Sequence, residues 1–130
     1  MTQQTPTAIC YHQKSRVLEV EFGSHNAFEL PAEYLRVYSP SAEVRGHGPG
    51  QEVLQVDKEN VRINAIEPVG NYAVKLVFDD GHDSGLYTWE ELHALGVEQE
   101  QRWTDYLERL EQAGHRRKPL LSVVDITHNG

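Results

Sequence analysis

Cysteine is almost absent from this sequence of 130 residues, which contains only Cys10. One cysteine cannot form a disulfide within the chain, and it cannot supply a metal site built from cysteines alone. A single thiol is typical of proteins in a reducing compartment, so we expect a cytoplasmic protein. A domain of this length buries enough apolar surface to fold without disulfides.

The sequence also lacks long apolar runs and an excess of positive charge. No apolar stretch approaches the roughly 20 residues that span a bilayer, and no charged-then-apolar start predicts a secretory signal. Twelve Lys and Arg stand against 20 Asp and Glu, which gives a formal net charge of −8. Because Lys and Arg carry phosphate recognition, we expect neither nucleic-acid nor membrane binding.

Motifs for nucleotide binding and nucleophilic catalysis are missing as well. The segment 46–50 is rich in glycine, but it has no P-loop spacing, and Pro49 removes one backbone N–H. No G-x-S-x-G elbow occurs. Ser84 follows His82 and Asp83 in a predicted strand, where neighbouring side chains point to opposite faces. We therefore predict no catalytic or cofactor-binding residue, and we expect that the chain is not an enzyme.

Alternating apolar residues predict β-strands in the first part of the chain. Residues 16–22 alternate with period two, and residues 8–12 are predicted to be the hairpin partner of this strand. Residues 27–30 form a third, short strand. Pro31 suits the first turn of a helix, because its missing N–H costs nothing there, so a short helix through Val37 is predicted.

A second hairpin is predicted after an irregular segment that covers residues 39–60. Residues 61–66 resume the alternation of a strand. Residues 72–79 and 82–88 flank Asp80-Gly81, a pair that favours a two-residue type I′ turn. The sequence therefore predicts a tight hairpin at this position.

Two helices are predicted after the hairpins. Thr88 and Glu91 form a capping box, which begins a helix that Gly96 ends. A second helix covers residues 98–113 and ends at Gly114. Its apolar residues recur at i, i+3, i+4 and i+7 and are Trp103, Tyr106, Leu107 and Leu110.

Strands that precede helices indicate an α+β fold rather than a parallel α/β sheet. We predict a two-layer domain, with a mainly antiparallel sheet and helices packed on one face. Residues 1–114 form this single domain, and residues 115–130 form a tail.

Seven histidines are scattered along the chain without the spacing of a helical metal site. His47 lies in the glycine-rich segment, and His82 follows the Asp80-Gly81 turn. If the segment folds over the hairpin, the two imidazoles could share zinc or iron with Glu43 or Asp83. Structural zinc usually takes four ligands, so we expect these histidines without a metal.

Three segments of the sequence resemble the gamma-butyrobetaine hydroxylase-like N-terminal domain family, and the resemblance extends over residues 7–96. The segments are EYLRVYSPSAEV (33–44), IEPVGNYAVKL (66–76) and FDDGHDSGLYTW (78–89). The resemblance implies a compact α+β module, which occurs in bacteria as a small stand-alone domain of unknown function. In the carnitine-pathway dioxygenases the module holds zinc through three cysteines and one histidine. A similar domain is appended to a chloroplast iron–sulfur carrier.

On this chain the resemblance places the cysteine positions at Ser39, Ser41 and Val44, and the histidine at His82. Serine hydroxyls do not ionise near neutral pH, and valine cannot bind a metal. We therefore expect a degenerate site without metal, in a non-enzymatic module that binds a protein, with iron–sulfur or oxygenase proteins as candidate partners. The alternative is a zinc or iron protein, or a small metal-dependent enzyme, that uses His47 and His82. No oligomeric state is predicted.

Overall fold

Two antiparallel sheets of three strands each form the scaffold of the protein. The structure is a computed structural model that describes residues 5–23, 26–46 and 50–118. The first sheet has the order β1 (Ala8–His12), β2 (Val17–Glu21), β3 (Ala27–Pro31), and the second has the order β4 (Ile63–Val69), β5 (Ala73–Phe78), β6 (Leu86–Thr88). The helices are α1 (Ala32–Val37), α2 (Ala42–Arg45), α3 (Trp89–Val97) and α4 (Gln99–Gln112). The predicted α+β class with antiparallel strands is confirmed, and the strands are divided between two sheets.

The first sheet follows the predicted hairpin. Its register pairs Cys10 with Glu19, and β2 pairs with β3 on its other edge. Leu18 and Val20 are fully buried on one face of β2, as the alternation predicts. Pro31 ends β3 and is the N-cap of α1. It therefore lies one position before the first helical residue, and not in the first helical turn as predicted.

The second hairpin was predicted in the right place but with the wrong turn. Of the Asp80-Gly81 pair only Gly81 has a positive φ, +91°, whereas a type I′ turn needs both. The Gly81 N–H donates to the Phe78 carbonyl, and the Phe78 N–H donates to the His82 carbonyl. The loop therefore has three residues and ends in a glycine bulge. Residues 82–85 are not a strand, because β6 begins only at Leu86.

The helix start at Thr88 is confirmed, but the predicted end at Gly96 is wrong. The Glu91 N–H donates to Thr88 Oγ1 at 3.0 Å. Helix α3 continues to Val97, and Gly96 lies against the Phe28 ring, where a Cβ would come within 2.4 Å of Cγ. Glycine is needed there for close packing and not as a C-cap. The end of α4 near Gly114, whose φ is +79°, is confirmed.

The core joins both sheets to the helices. Two fully buried tyrosines connect distant elements, since the Tyr34 hydroxyl donates to the Leu95 carbonyl and the Tyr87 hydroxyl donates to the Leu35 carbonyl. On α4, Tyr106 and Leu110 are buried, as predicted, whereas Leu107 is 39% exposed. The largest fully buried apolar side chains are Tyr34, Tyr87, Phe78, Leu18, Leu30, Leu35, Leu76, Leu92, Leu95 and Val20.

Residues 115–118 of the predicted tail contact the domain. The Arg117 guanidinium makes two hydrogen bonds to the buried Glu33 carboxylate and lies 5.1 Å from the centroid of the Trp103 ring. The rest of that segment, residues 119–130, lies outside the described residues. Among the residues that the structure describes, no helix has the length and apolar character to cross a membrane.

Candidate functional site

The structure brings together three of the four positions that the resemblance singled out. Ser39 follows α1, Ser41 caps α2, and His82 follows the β5 turn. Ser39 Oγ lies 2.9 Å from His82 Nε2, and the Ser41 N–H donates to Ser39 Oγ at 3.2 Å. Val44, the fourth position, is buried on α2 one helical turn after Ser41.

Two further side chains complete this group. Glu43 Oε1 lies 3.2 Å from His82 Nδ1, so both ring nitrogens of His82 have partners. Ser84 Oγ lies 2.8 Å from Ser41 Oγ and donates to Glu43 Oε1 at 3.4 Å. We call Ser39, Ser41, Glu43, His82 and Ser84 the serine–histidine cluster. Ser84 reaches it because residues 82–85 are not a strand, so the alternation argument used against Ser84 does not apply.

The cluster is closed on one side and open on the other. Ser39 is 0% exposed and the His82 side chain is 3% exposed, whereas the Glu43 side chain is 72% exposed. No buried side-chain nitrogen or oxygen in the described part of the chain lacks a hydrogen-bond partner. The inner polar groups are therefore satisfied by one another, as burial requires.

The electrostatics of the cluster favour a neutral imidazole. Burial, followed by the nearby Arg36 guanidinium, lowers the pKa of His82, and the Glu43 and Asp80 carboxylates only partly oppose this shift. A neutral imidazole has one donor and one acceptor nitrogen. Because a carboxylate can only accept, we infer that Nδ1–H donates to Glu43 and that Nε2 accepts from the Ser39 hydroxyl.

Serine, histidine and glutamate in this order match the arrangement of a hydrolytic triad. The nucleophile of such a triad must reach a substrate, whereas Ser39 is fully buried. Gly85 closes the approach further, since a Cβ there would lie 2.4 Å from Ser39 Oγ. The hydroxyl already donates to His82 and accepts from Ser41. Ser39 thus connects the His82 imidazole to the backbone at Ser41.

The donors of the cluster do not fit the zinc site that the resemblance implies. A zinc ion prefers thiolate and imidazole ligands, but here two hydroxyls and a buried valine take the three cysteine positions. No group of three or more His, Cys, Asp or Glu suited to a metal occurs in residues 5–23, 26–46 and 50–118. His47 of the alternative site lies outside the described residues.

An ionic network, which the sequence analysis missed, fixes the turn that carries His82. Asp80 Oδ2 accepts from Arg36 Nε at 2.9 Å and from Lys58 Nζ at 2.7 Å, and Asp80 Oδ1 accepts from the His82 N–H. Burial alone would raise the pKa of Asp80, but hydrogen bonds from Lys58, the His82 N–H and Arg36 lower it to about 2. The available signal was Asp80 two residues before His82, since Asp side chains often bond the backbone two residues onward.

Comparison with known proteins identifies the family. Residues 9–93 match the family described as gamma-butyrobetaine hydroxylase-like, N-terminal. The chain therefore belongs to that family, which confirms the resemblance seen in the sequence. No curated protein matches the sequence significantly.

Several solved structures are also similar to this chain. One solution structure is 50% identical to this chain, covers 91% of it and 93% of its own length, and has a TM-score of 0.79. A second solution structure is 53% identical, covers 92% of each chain, and has a TM-score of 0.77. A crystal structure of a DUF971-family protein of unknown function from Acidithiobacillus ferrooxidans is 37% identical, covers 71% of this chain and 92% of its own, and has a TM-score of 0.60.

Proposed function

We propose that this protein is a non-enzymatic, cytoplasmic module that binds a protein partner and in which hydrogen bonds have replaced a zinc site. The observation that carries the proposal is the serine–histidine cluster. Three of its five side chains, Ser39, Ser41 and His82, occupy positions at which the resemblance implies zinc ligands. The cluster is instead joined by hydrogen bonds of 2.8 to 3.4 Å.

The hydrogen bonds of the cluster support a structural role for this centre. The Ser39–His82 bond connects the segment after α1 to the turn that follows β5. The Ser41–Ser84 bond connects the start of α2 to the loop before β6. A structural zinc ion would join these same chain segments. The cluster therefore performs the cross-linking role of the metal without providing a reactive group.

The surface next to the cluster supports binding to a partner. Glu43 and Asp83 are exposed at its outer edge, while the core beneath them is closed. Loops held by a rigid scaffold commonly carry binding residues. The first candidate partners are iron–sulfur or oxygenase proteins, because the related domains named in the sequence analysis occur in such proteins.

Metal analysis of the purified chain tests the structural part of the proposal. After incubation with Zn²⁺ or Fe²⁺ and removal of free ions, we expect less than about 0.1 ion per chain by mass spectrometry, and a chelator should leave the melting temperature unchanged. Nearly one ion per chain that is lost in His82→Ala would overturn the proposal. It would favour the alternative, a metal protein that uses His82 and His47.

Site-specific photocrosslinking in cells tests the binding part. A photoreactive amino acid at Asp83, at the outer edge of the cluster, should give a discrete crosslinked protein. The same amino acid at Lys14, an exposed residue of the β1–β2 turn, is the matched control and should not. Identical products from both positions, or none from Asp83, would contradict a binding surface at this place.

A further inference from the structure

A groove lies between α4 and the irregular segment 52–55, which we call the α4 groove. Its volume is about 490 Å³, and Val44 and Arg45 of α2 also line it. Four aliphatic side chains from three parts of the chain line it, namely Val37, Val44, Val53 and Leu54. The groove therefore offers an apolar surface of a size that accommodates a few side chains of a ligand.

The walls of the groove are fixed by hydrogen bonds. The Tyr106 hydroxyl donates to the Gln55 carbonyl at 2.7 Å, which ties segment 52–55 to α4. The Val53 N–H donates to the Val44 carbonyl at 2.8 Å, which ties the same segment to α2. Val53 is nevertheless 50% exposed. An apolar side chain is thus held in a fixed position at the surface, and a ligand would bind without first ordering the segment.

The charge of the groove is opposite to that of the chain as a whole. Its lining contains three arginines, Arg45, Arg102 and Arg109, against one acidic residue, Glu52. Arg45 pairs with Glu91, and Arg102 pairs with Glu98. Arg109 is exposed and has no ion pair within the described residues. In a protein of net charge −8, this is a local excess of positive charge.

We propose that the α4 groove binds an acidic peptide segment of the partner protein through an apolar anchor. The apolar side chain of the peptide packs on Val53 and Leu54, and its carboxylates pair with Arg109 and Arg45. This inference rests on the proposed function and specifies the chemistry of the partner. Nucleic acid fits less well, because the acidic chain as a whole repels phosphates and the groove offers aliphatic side chains.

Amide chemical shifts of the ¹⁵N-labelled full chain provide the test. The probes are three acetylated and amidated peptides: Glu-Leu-Asp-Leu-Glu, the basic Lys-Leu-Lys-Leu-Lys, and Glu-Ser-Asp-Ser-Glu without apolar side chains. The acidic apolar peptide should shift amides of α2, residues 52–55 and the 102–109 part of α4. The other two peptides should bind at least about tenfold more weakly, because each lacks one of the two required features.

Two variants test the residues that carry the proposal. Arg109→Glu and Val53→Asp should each weaken binding of the acidic apolar peptide by at least about tenfold, since both place a carboxylate against it. Arg62→Glu is the matched control, because it makes the same charge change at an exposed position outside the groove. It should change the affinity by less than about twofold. The spectra of the free variants show whether the fold is retained.

Several outcomes would overturn the inference. The first is that no amide of the groove shifts at millimolar concentrations of the acidic apolar peptide. The second is that the basic peptide binds as tightly as the acidic one, and the third is that Arg62→Glu weakens binding as much as Arg109→Glu. The fourth is that a single-stranded DNA oligonucleotide binds more tightly than the acidic apolar peptide. Crosslinking from Asp83 with no peptide binding in the groove would retain the proposed function and reject only the α4 groove. Metal bound at His82 would reject the proposed function and leave the peptide result unchanged.

Discussion

The serine–histidine cluster and the α4 groove both include Ser39 and residues of α2, but they have opposite properties. In the cluster, polar side chains are buried and bonded to one another, with Ser39 fully buried. In the groove, Val53 is 50% exposed, and Arg109 is exposed with no ion pair in the described part of the chain. Buried polar groups with complete partners stabilise a fold, whereas exposed apolar groups with unpaired charge provide free energy for binding.

The motif residues of this protein lie in the cluster, and the residues proposed to bind a partner lie in the α4 groove. The motif-rich residues 39–44 and 78–84 supply the cluster, in which Ser39 and His82 are buried. The groove uses residues without a recognisable motif, such as Val53 and Arg109. Under our proposal, the motif residues have a structural role and the groove beside them binds the partner.

The largest expected effect follows from His82→Ala. The substitution removes one hydrogen-bond partner each from Ser39 and Glu43 and leaves a cavity, so unfolding should require about 3 kcal/mol less free energy. Urea denaturation measures this change. The control is His12→Ala, since His12 is half exposed and pairs with Glu19 at the surface. It should cost less than about 1 kcal/mol. Equal losses in the two variants would contradict a structural role for the cluster.

A smaller loss is expected from Asp80→Asn. The Arg36 side chain is 9% exposed and would lose its anionic partner, which should cost about 2 kcal/mol of unfolding free energy. Asp79→Asn is the matched control, because its Oδ1 can still accept from the Arg62 N–H. Thermal denaturation of both variants checks the prediction. A similar melting temperature for Asp80→Asn and the unmodified protein would show that the network contributes little.

The stability of the protein should fall as the pH falls from 7 to 5. The pKa of His82 is lowered by burial from its unfolded value near 6.5, so below pH 6.5 the unfolded chain binds more protons than the folded chain. The contribution of this residue is complete above pH 6.5 and is lost as the pH falls through the lowered pKa. Urea titrations at several pH values measure the slope. In His82→Ala the slope should be shallower, and an unchanged slope would assign the effect to other groups.

The smallest effect on stability is expected in the groove. Val53→Ser removes an exposed aliphatic side chain and should change the unfolding free energy by less than about 0.5 kcal/mol. Its effect on peptide binding should be larger than its effect on stability. Calorimetric melting and the peptide titration measure the two quantities. A loss of stability as large as that of Asp80→Asn would show that the groove is part of the core.

Local patterns in the sequence were sufficient for several elements. The alternation in β2, the Thr88 cap and the end of α4 near Gly114 depend on contacts within a few residues, and all three are confirmed. The Gly96 prediction failed because a glycine also occurs where another chain segment packs closely, and here that segment carries Phe28. The predicted turn type at Asp80-Gly81 was wrong because Asp80 bonds to Arg36 and Lys58, which are distant in sequence.

Residue identities and short spacings were enough to predict the antiparallel α+β class and the family. They also gave the chemical nature of the residues at the expected zinc positions. The contacts of Ser39 and Glu43 with His82, and the groove that Val53 and Arg109 share, become visible only in the folded protein. Ser39 and His82 are 43 residues apart, and Val53 and Arg109 are 56 apart. At such separations side chains meet only because the core has fixed the strands and helices that carry them.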